Sequence, residues 1–247
     1  MSSESIALAI QLKELAYPAV ILGAILLFGL VAYAIRTKPR KEKVKSFLFW
    51  SIATVAVGVT LFLAGSTVFI NTVSPTGGPV HWHTDYEVWY CGEQLDLVDP
   101  LGIDNRVGTW EVHEHNDNRM HIEGTIVDVE QGTFKHFFEV IGGSFTRDTY
   151  TFPSTKGNIT IPTSGNCNGE PAVLQGFLHR VDNPEKAKEW TYSQRKISFP
   201  WSVEMAPYSN VPPGDCLVIV FGPEQEKIDR VCASYRAAQN RGELNGR

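Results

Sequence analysis

The chain has 247 residues, 22 Lys and Arg against 27 Asp and Glu, and four Cys, for a formal net charge of −5 with neutral histidine. The charge divides unevenly: residues 1–73 carry a net +4 and residues 74–247 a net −9. The larger part therefore repels a phosphate backbone and nucleic acid is not an expected partner. Neither G-x-G-x-x-G nor G-x-x-x-x-G-K-[ST] occurs, which sets nucleotides aside, and no G-x-S-x-G elbow marks a serine hydrolase.

Residues 1–16 are weakly amphipathic and are predicted to lie on an outer membrane surface. From Tyr17 to Ile35 and again from Ser46 to Val73 the chain is uncharged, and each stretch reaches the roughly 20 apolar residues that span a bilayer. Residues 36–45 between them hold six basic side chains (Arg36, Lys38, Arg40, Lys41, Lys43, Lys45) and one acid, Glu42. The positive-inside rule makes this loop cytoplasmic, so residues 17–73 are predicted to be a two-helix transmembrane hairpin in a multi-pass cytoplasmic-membrane protein. Both termini and residues 74–247 then lie on the exoplasmic side. Cleavage after Ala32-Tyr33-Ala34 as a signal peptide is the weaker reading, because it would leave the basic cluster outside.

All four cysteines (Cys91, Cys167, Cys216, Cys232) follow the second span. An even number in an extracytoplasmic domain points to two disulfides, of which Cys216–Cys232 is the preferred pair among three possible connectivities. After the turn-forming linker Ser74–Pro79, Asp85 to Cys91 alternates polar and apolar residues, and a turn at Gly92 with Gln94 to Val98 completes a predicted hairpin. Trp110 to His115 and Met120 to Val127 read as short strands around a His-Asn-Asp-Asn turn. Gly132 to Ile141 places Phe134, Phe137, Phe138 and Ile141 on one stripe, the spacing of an amphipathic helix, with His136 off the stripe and facing solvent.

Further strands are predicted at Tyr150–Phe152, Asn158–Ile161, Ala172–Leu178, Lys196–Val203 and Cys216–Phe221. A C-terminal helix is predicted over Pro223–Asn240, opened by proline with acids in its first turn. The fold class is therefore α+β: a helical hairpin followed by a mainly β exoplasmic domain with two helices.

Five of seven histidines fall between residues 81 and 121, as His81-Trp82-His83, His113-Glu114-His115 and His121-Ile122-Glu123. Strand residues two apart share a face, so each H-x-H presents two imidazoles to one side, and His121 with Glu123 adds a nitrogen and a carboxylate. His81, His83, His113, His115, His121 and Glu123 are the candidate metal ligands. Imidazole suits copper and zinc, and the carboxylate admits iron or manganese. If His81 and His83 share a face, Trp82 points to the other and packs beneath them. His179 stands alone and reads as an ordinary structural histidine rather than a ligand.

The segments HWHTDYEVWYCG, HEHNDNRMHIEG and GTFKHFFEVIGG resemble those of poorly characterised membrane-anchored, extracytoplasmic bacterial and archaeal proteins. That resemblance implies a small α+β domain with a β-grasp-like portion, and marks the same five histidines. A partial resemblance to the first metal motif of the cupins runs through His81, His83 and Glu87, with no histidine in the later VPPGDCLVIVFG where a second motif is expected. The resulting functional expectation is a membrane-anchored exoplasmic binder of a transition metal. The alternatives are a metal-dependent enzyme of hydrolase or cupin type, with Glu114 or Glu123 as general base, and an adhesive ectodomain without metal that engages a protein partner or a second copy.

Overall fold

The computed structural model describes residues 3–198, 205 and 214–246. They fall into two compact units, Met1–Gly78 and Pro79–Arg247. The first unit is two helices, α1 (Ser3–Thr37) and α2 (Glu42–Val73). Both are long and apolar enough to cross a membrane by length and composition. They meet closely at Gly23, where a methyl group would come within 2.7 Å of Val59. Their outer faces leave large apolar side chains such as Phe28, Phe47 and Trp50 exposed. Residues 3–16 are helical and continuous with the first apolar stretch, and Pro18 lies inside α1 without ending it.

The second unit begins with β1 (Pro79–Tyr90), β2 (Glu93–Gln94), β3 (Val107–Gly108), β4 (Val112–Glu114) and β5 (Arg119–Thr125). A 3₁₀ turn over Val129–Gly132 leads into α3 (Phe134–Val140). Strands β6 (Ser144–Phe145), β7 (Thr149–Phe152) and β8 (Ile159–Pro162) make a separate antiparallel sheet. Then come β9 (Ser164–Cys167), β10 (Glu170–Val181), β11 (Trp190–Ile197), β12 (Asp215–Gly222), α4 (Ala233–Asn240) and β13 (Leu244–Gly246).

The main sheet runs in the order β13-β11-β10-β12-β1-β5-β4-β3, with β2 also on β1 and β9 on β10. It is mixed: β1 lies parallel to β12 and β11 parallel to β13, and the other pairs are antiparallel. Strand β12 is buried along its whole length and feeds two cores by alternation. Leu217, Ile219 and Phe221 join Tyr86, Ile122 and the α3 phenylalanines on one face. Cys216, Val218 and Val220 join Phe177, Tyr235 and Ala238 of α4 on the other. A strand covered on both sides needs an apolar run rather than a two-residue alternation, which is what LVIVF supplies.

Several elements differ from the sequence expectation. The helix expected over Pro223–Asn240 starts only at Ala233. The stretch before it is held as a loop by two glutamines of the sheet: Gln175 bonds Pro223 O and Gln225 N, and Gln194 bonds Ile228 O and Ile228 N. Each side-chain amide satisfies one carbonyl and one N–H and so removes the need for helical bonding there. The second strand of the expected Asp85–Val98 hairpin shrinks to Glu93–Gln94, because β1 spends most of its length on β5 and β12 instead. The strand expected at Lys196–Val203 is seen as the end of β11 up to Ile197, and its remainder from residue 199 lies outside the described residues.

In α3 the stripe Phe134, Phe137, Phe138 and Ile141 is buried as expected. Thr133 caps the helix by accepting from His136 N. His136 itself is half-buried rather than facing solvent. Both disulfides form, Cys91–Cys167 and Cys216–Cys232.

His179 is fully buried in the second core, where Gln194 Nε2 lies 2.7 Å from its Nε2. Burial lowers its pKa from 6.5 to about 4. The folded protein thus keeps this ring neutral while the unfolded chain would protonate it. Stability from this group is complete above pH 6.5 and drains as pH falls toward 4, by roughly 3 kcal/mol in all. Urea titrations of wild type and His179→Gln between pH 7 and 4 should show a shallower pH dependence in the variant.

Candidate metal centre

The histidines lie where β1, β5 and β4 run side by side. The register pairs His83 with His121 across β1 and β5, and His113 with His121 across β5 and β4. One row of directly opposed residues therefore reads His83–His121–His113, all on one face of the sheet. In the next row His81 is opposite Glu123. His115 follows at the end of β4, its ring centroid 4.7 Å from that of His121.

The intervening residues face the other way. Ile122 and Val112 are buried in the first core and Trp82 packs against it, so the row rests on a dry, rigid layer. Along β1 the same face continues into Asp85, Glu87 and Trp89, where other groups cover it. Asp85 accepts from Ser234 N of α4 and from Arg119 Nε, and Glu87 pairs with Arg236. Glu87 also accepts from Trp89 Nε1. It is thereby held away from the histidines, and the cupin-like grouping of His81, His83 and Glu87 does not assemble.

Two triads result. His81, His83 and His121 each offer a ligand atom, all within 4.8 Å of one another, and so do His113, His115 and His121. His121 belongs to both. His81 Nε2 lies 2.9 Å from His83 Nε2 and 3.3 Å from Glu123 Oε1, so Glu123 supports His81 rather than entering either triad. His113 and His121 stack in parallel with centroids 5.5 Å apart.

Hydrogen bonds fix which nitrogens are available. His121 Nε2 lies 3.2 Å from Asp117 Oδ2. An ionised carboxylate only accepts, so Nε2 carries the hydrogen and the lone pair is on Nδ1. His115 Nδ1 is bonded to the carbonyl of Asn105, which likewise puts its lone pair on Nε2. A carboxylate or carbonyl behind an imidazole is the usual support of a metal-ligating histidine. Nδ1 of His121 and Nδ1 of His113 are both buried without a hydrogen-bond partner. Burial also lowers the pKa of His83 to about 4, with the neighbouring His121 and His81 adding to the effect. His113 is lowered too, first by burial and then by His115. Burial alone would raise the Asp117 carboxyl, but the His121 hydrogen bond and charge, with Arg119, bring it below its ordinary value. Burial thus biases His83 and His113 toward neutral imidazoles, the state a metal ion requires of its histidine ligands.

Asp117 and the Asn105 carbonyl were not among the sequence candidates. Asp117 stands four residues before His121 in the Asn-Asp-Asn turn, and only the folding of that turn brings it back over the ring. Glu114 builds the turn: its Oε1 accepts from Asp117 N and Asn118 N, while Asn116 and Asn118 take positive φ. Glu114 is buried on the opposite side of β4 from His113, with Oε1 held by the backbone and Oε2 buried without a hydrogen-bond partner.

Gly214 sets the close approach at the other edge of the site. Its φ is +82°, and a methyl group there would lie 2.2 Å from the His83 carbonyl oxygen. Gly214→Ala should therefore destabilise the domain by at least about 1 kcal/mol and displace β1 at His83. Thermal unfolding together with metal titration of this variant would show both effects.

Compared with protein-family models, curated proteins and solved structures, the chain matches none.

Proposed function

We propose that this protein is a membrane-anchored binder of a divalent transition-metal ion, copper or zinc, held by the histidine cluster on the outer side of a cytoplasmic membrane. The observation that carries this reading is the pair of buried, unpartnered Nδ1 atoms on His121 and His113 within two histidine triads. A buried polar atom without a partner costs roughly 1–3 kcal/mol, and a bound cation would reverse that cost. The candidate ligands are His81, His83, His113, His115 and His121, with Glu123 behind His81. The 2.9 Å separation of the His81 and His83 Nε2 atoms suits two adjacent ligands about 2.0–2.1 Å from one ion.

The membrane assignment rests on two helices of sufficient length and apolarity and on the basic cluster between them. Residues 17–73 would form the spans, residues 36–45 the cytoplasmic loop, and residues 74–247 the outer domain. The two disulfides support an oxidising compartment for that domain.

Elemental analysis of the full chain purified in detergent, before and after reconstitution with copper, zinc, iron and manganese, tests the reading. About one tightly bound copper or zinc per chain that is lost in His113→Ala/His115→Ala/His121→Ala supports it. Absence of any stoichiometric metal would overturn it in favour of an anchored interaction domain.

A further inference from the structure

The triads are unequal. The His81 side chain is 58% exposed and has Glu123 beside it, whereas His113 is 2% exposed with a buried, unpartnered Nδ1. Their common member has one lone pair to give, because Asp117 holds the hydrogen on His121 Nε2. A neutral imidazole in this state ligates one ion, not two, and two dications sharing its surroundings would repel.

We propose that the five histidines form two overlapping positions that a single divalent ion occupies in turn: an outer one of His81, His83 and His121, and an inner one of His113, His115 and His121. This rests on the metal-binding reading above and adds a direction to it. The ion is captured at the exposed pair and passes inward by ligand exchange about His121. The bonds to His81 and His83 break as those to His113 and His115 form. The hydrogen that one of the His81 and His83 Nε2 atoms carries in their mutual bond moves to that ring's Nδ1 when both ligate, so the transfer needs no electron and no net proton. The short distances make the exchange stepwise: ring centroids lie 4.6 Å apart for His81–His83, 4.7 Å for His83–His121 and 4.7 Å for His115–His121.

The test uses the full chain in detergent micelles, titrated with Cu(II) against a competing chelator. Ligand sets are read by electron paramagnetic resonance, and loading rates by stopped-flow quenching of tryptophan fluorescence. Wild type should take one tight equivalent, with any second equivalent at least about 10-fold weaker. His81→Ala/His83→Ala should keep one tight equivalent with an altered spectrum and load about 10-fold more slowly. His113→Ala/His115→Ala should also keep one equivalent, with a different spectrum and unchanged loading. Far-UV circular dichroism checks that each variant is folded, and glutamine replacements serve where alanine does not fold.

Two equivalents of similar affinity in wild type would overturn the shared ligand. Loss of tight binding in either double variant would mean one merged site, and equal loading rates would overturn the inward direction. If wild type takes up no ion at all, the metal-binding reading itself fails, an outcome distinct from these three.

Discussion

Alanine at His121 is expected to weaken metal binding more than alanine at any other single histidine, by at least about 100-fold. The reason is positional. Among the described residues, His121 alone is opposed on both sides by another histidine, His83 on β1 and His113 on β4, and it alone is common to both triads. Its removal leaves each triad with two nitrogens. The metal-free protein should lose at least about 1 kcal/mol, because alanine removes the Nε2 bond to Asp117, while the buried Nδ1 has no hydrogen bond to lose. The rise in melting temperature that wild type shows on adding metal should disappear in the variant. Asp117→Asn should give an intermediate loss of about 10- to 100-fold, because the amide no longer fixes the imidazole hydrogen as a carboxylate does. If His121→Ala bound copper or zinc as wild type does, the histidine row would not be the site.

The largest stability effect is expected at Arg180. Its guanidinium meets both carboxylate oxygens of Asp215, with Nε at 3.0 and 3.1 Å and Nη2 at 2.5 Å. Asp215 is fully buried at the start of β12, opposite Thr84 of β1. Arg180→Met leaves that carboxylate buried without its cation, which costs about 3–5 kcal/mol and should lower the melting temperature by roughly 10 °C. The double variant Arg180→Met/Asp215→Asn should recover most of the loss, because the charge is removed together with its partner. Chemical denaturation of the two variants separates these outcomes. A metal titration should show weakened binding in the single variant, since Asp215 neighbours both Gly214 and the β1 segment that carries His83.

Alternation along a strand was enough to read which residues share a face, as His81 with His83 and Trp82 against the core show. The register between strands was not readable. Nothing in HWH or HEH says that His83 will stand opposite His121, or that Glu123 will stand opposite His81 and outside the triads. That pairing depends on a tight Asn-Asp-Asn turn and on the packing of Ile122 beneath it. Local signals located the α3 stripe, whose phenylalanines alone define a buried face. They failed at Pro223–Cys232, because helix propensity there competes with Gln175 and Gln194, which come from strands about 30 to 50 residues away. Spacing placed Cys216–Cys232 correctly, leaving Cys91–Cys167 to follow.

The parallel pairing of β1 with β12 has a consequence for the order of synthesis. Strand β1 is the first piece of the second unit to be made, and β12 follows more than a hundred residues later. Until then the strand bearing His81 and His83 has an unpaired edge, and the close packing of Gly214 on His83 does not exist. Such non-local pairing slows folding and leaves sticky edges open in the nascent chain. A chain truncated before Asp215 would contain every histidine of the row and both cysteines of the Cys91–Cys167 bridge, yet would hold the row on a sheet missing its central partner. This edge of β1 therefore stays open while about half of the chain is made, and the histidine row gains its finished support only after β12 has arrived.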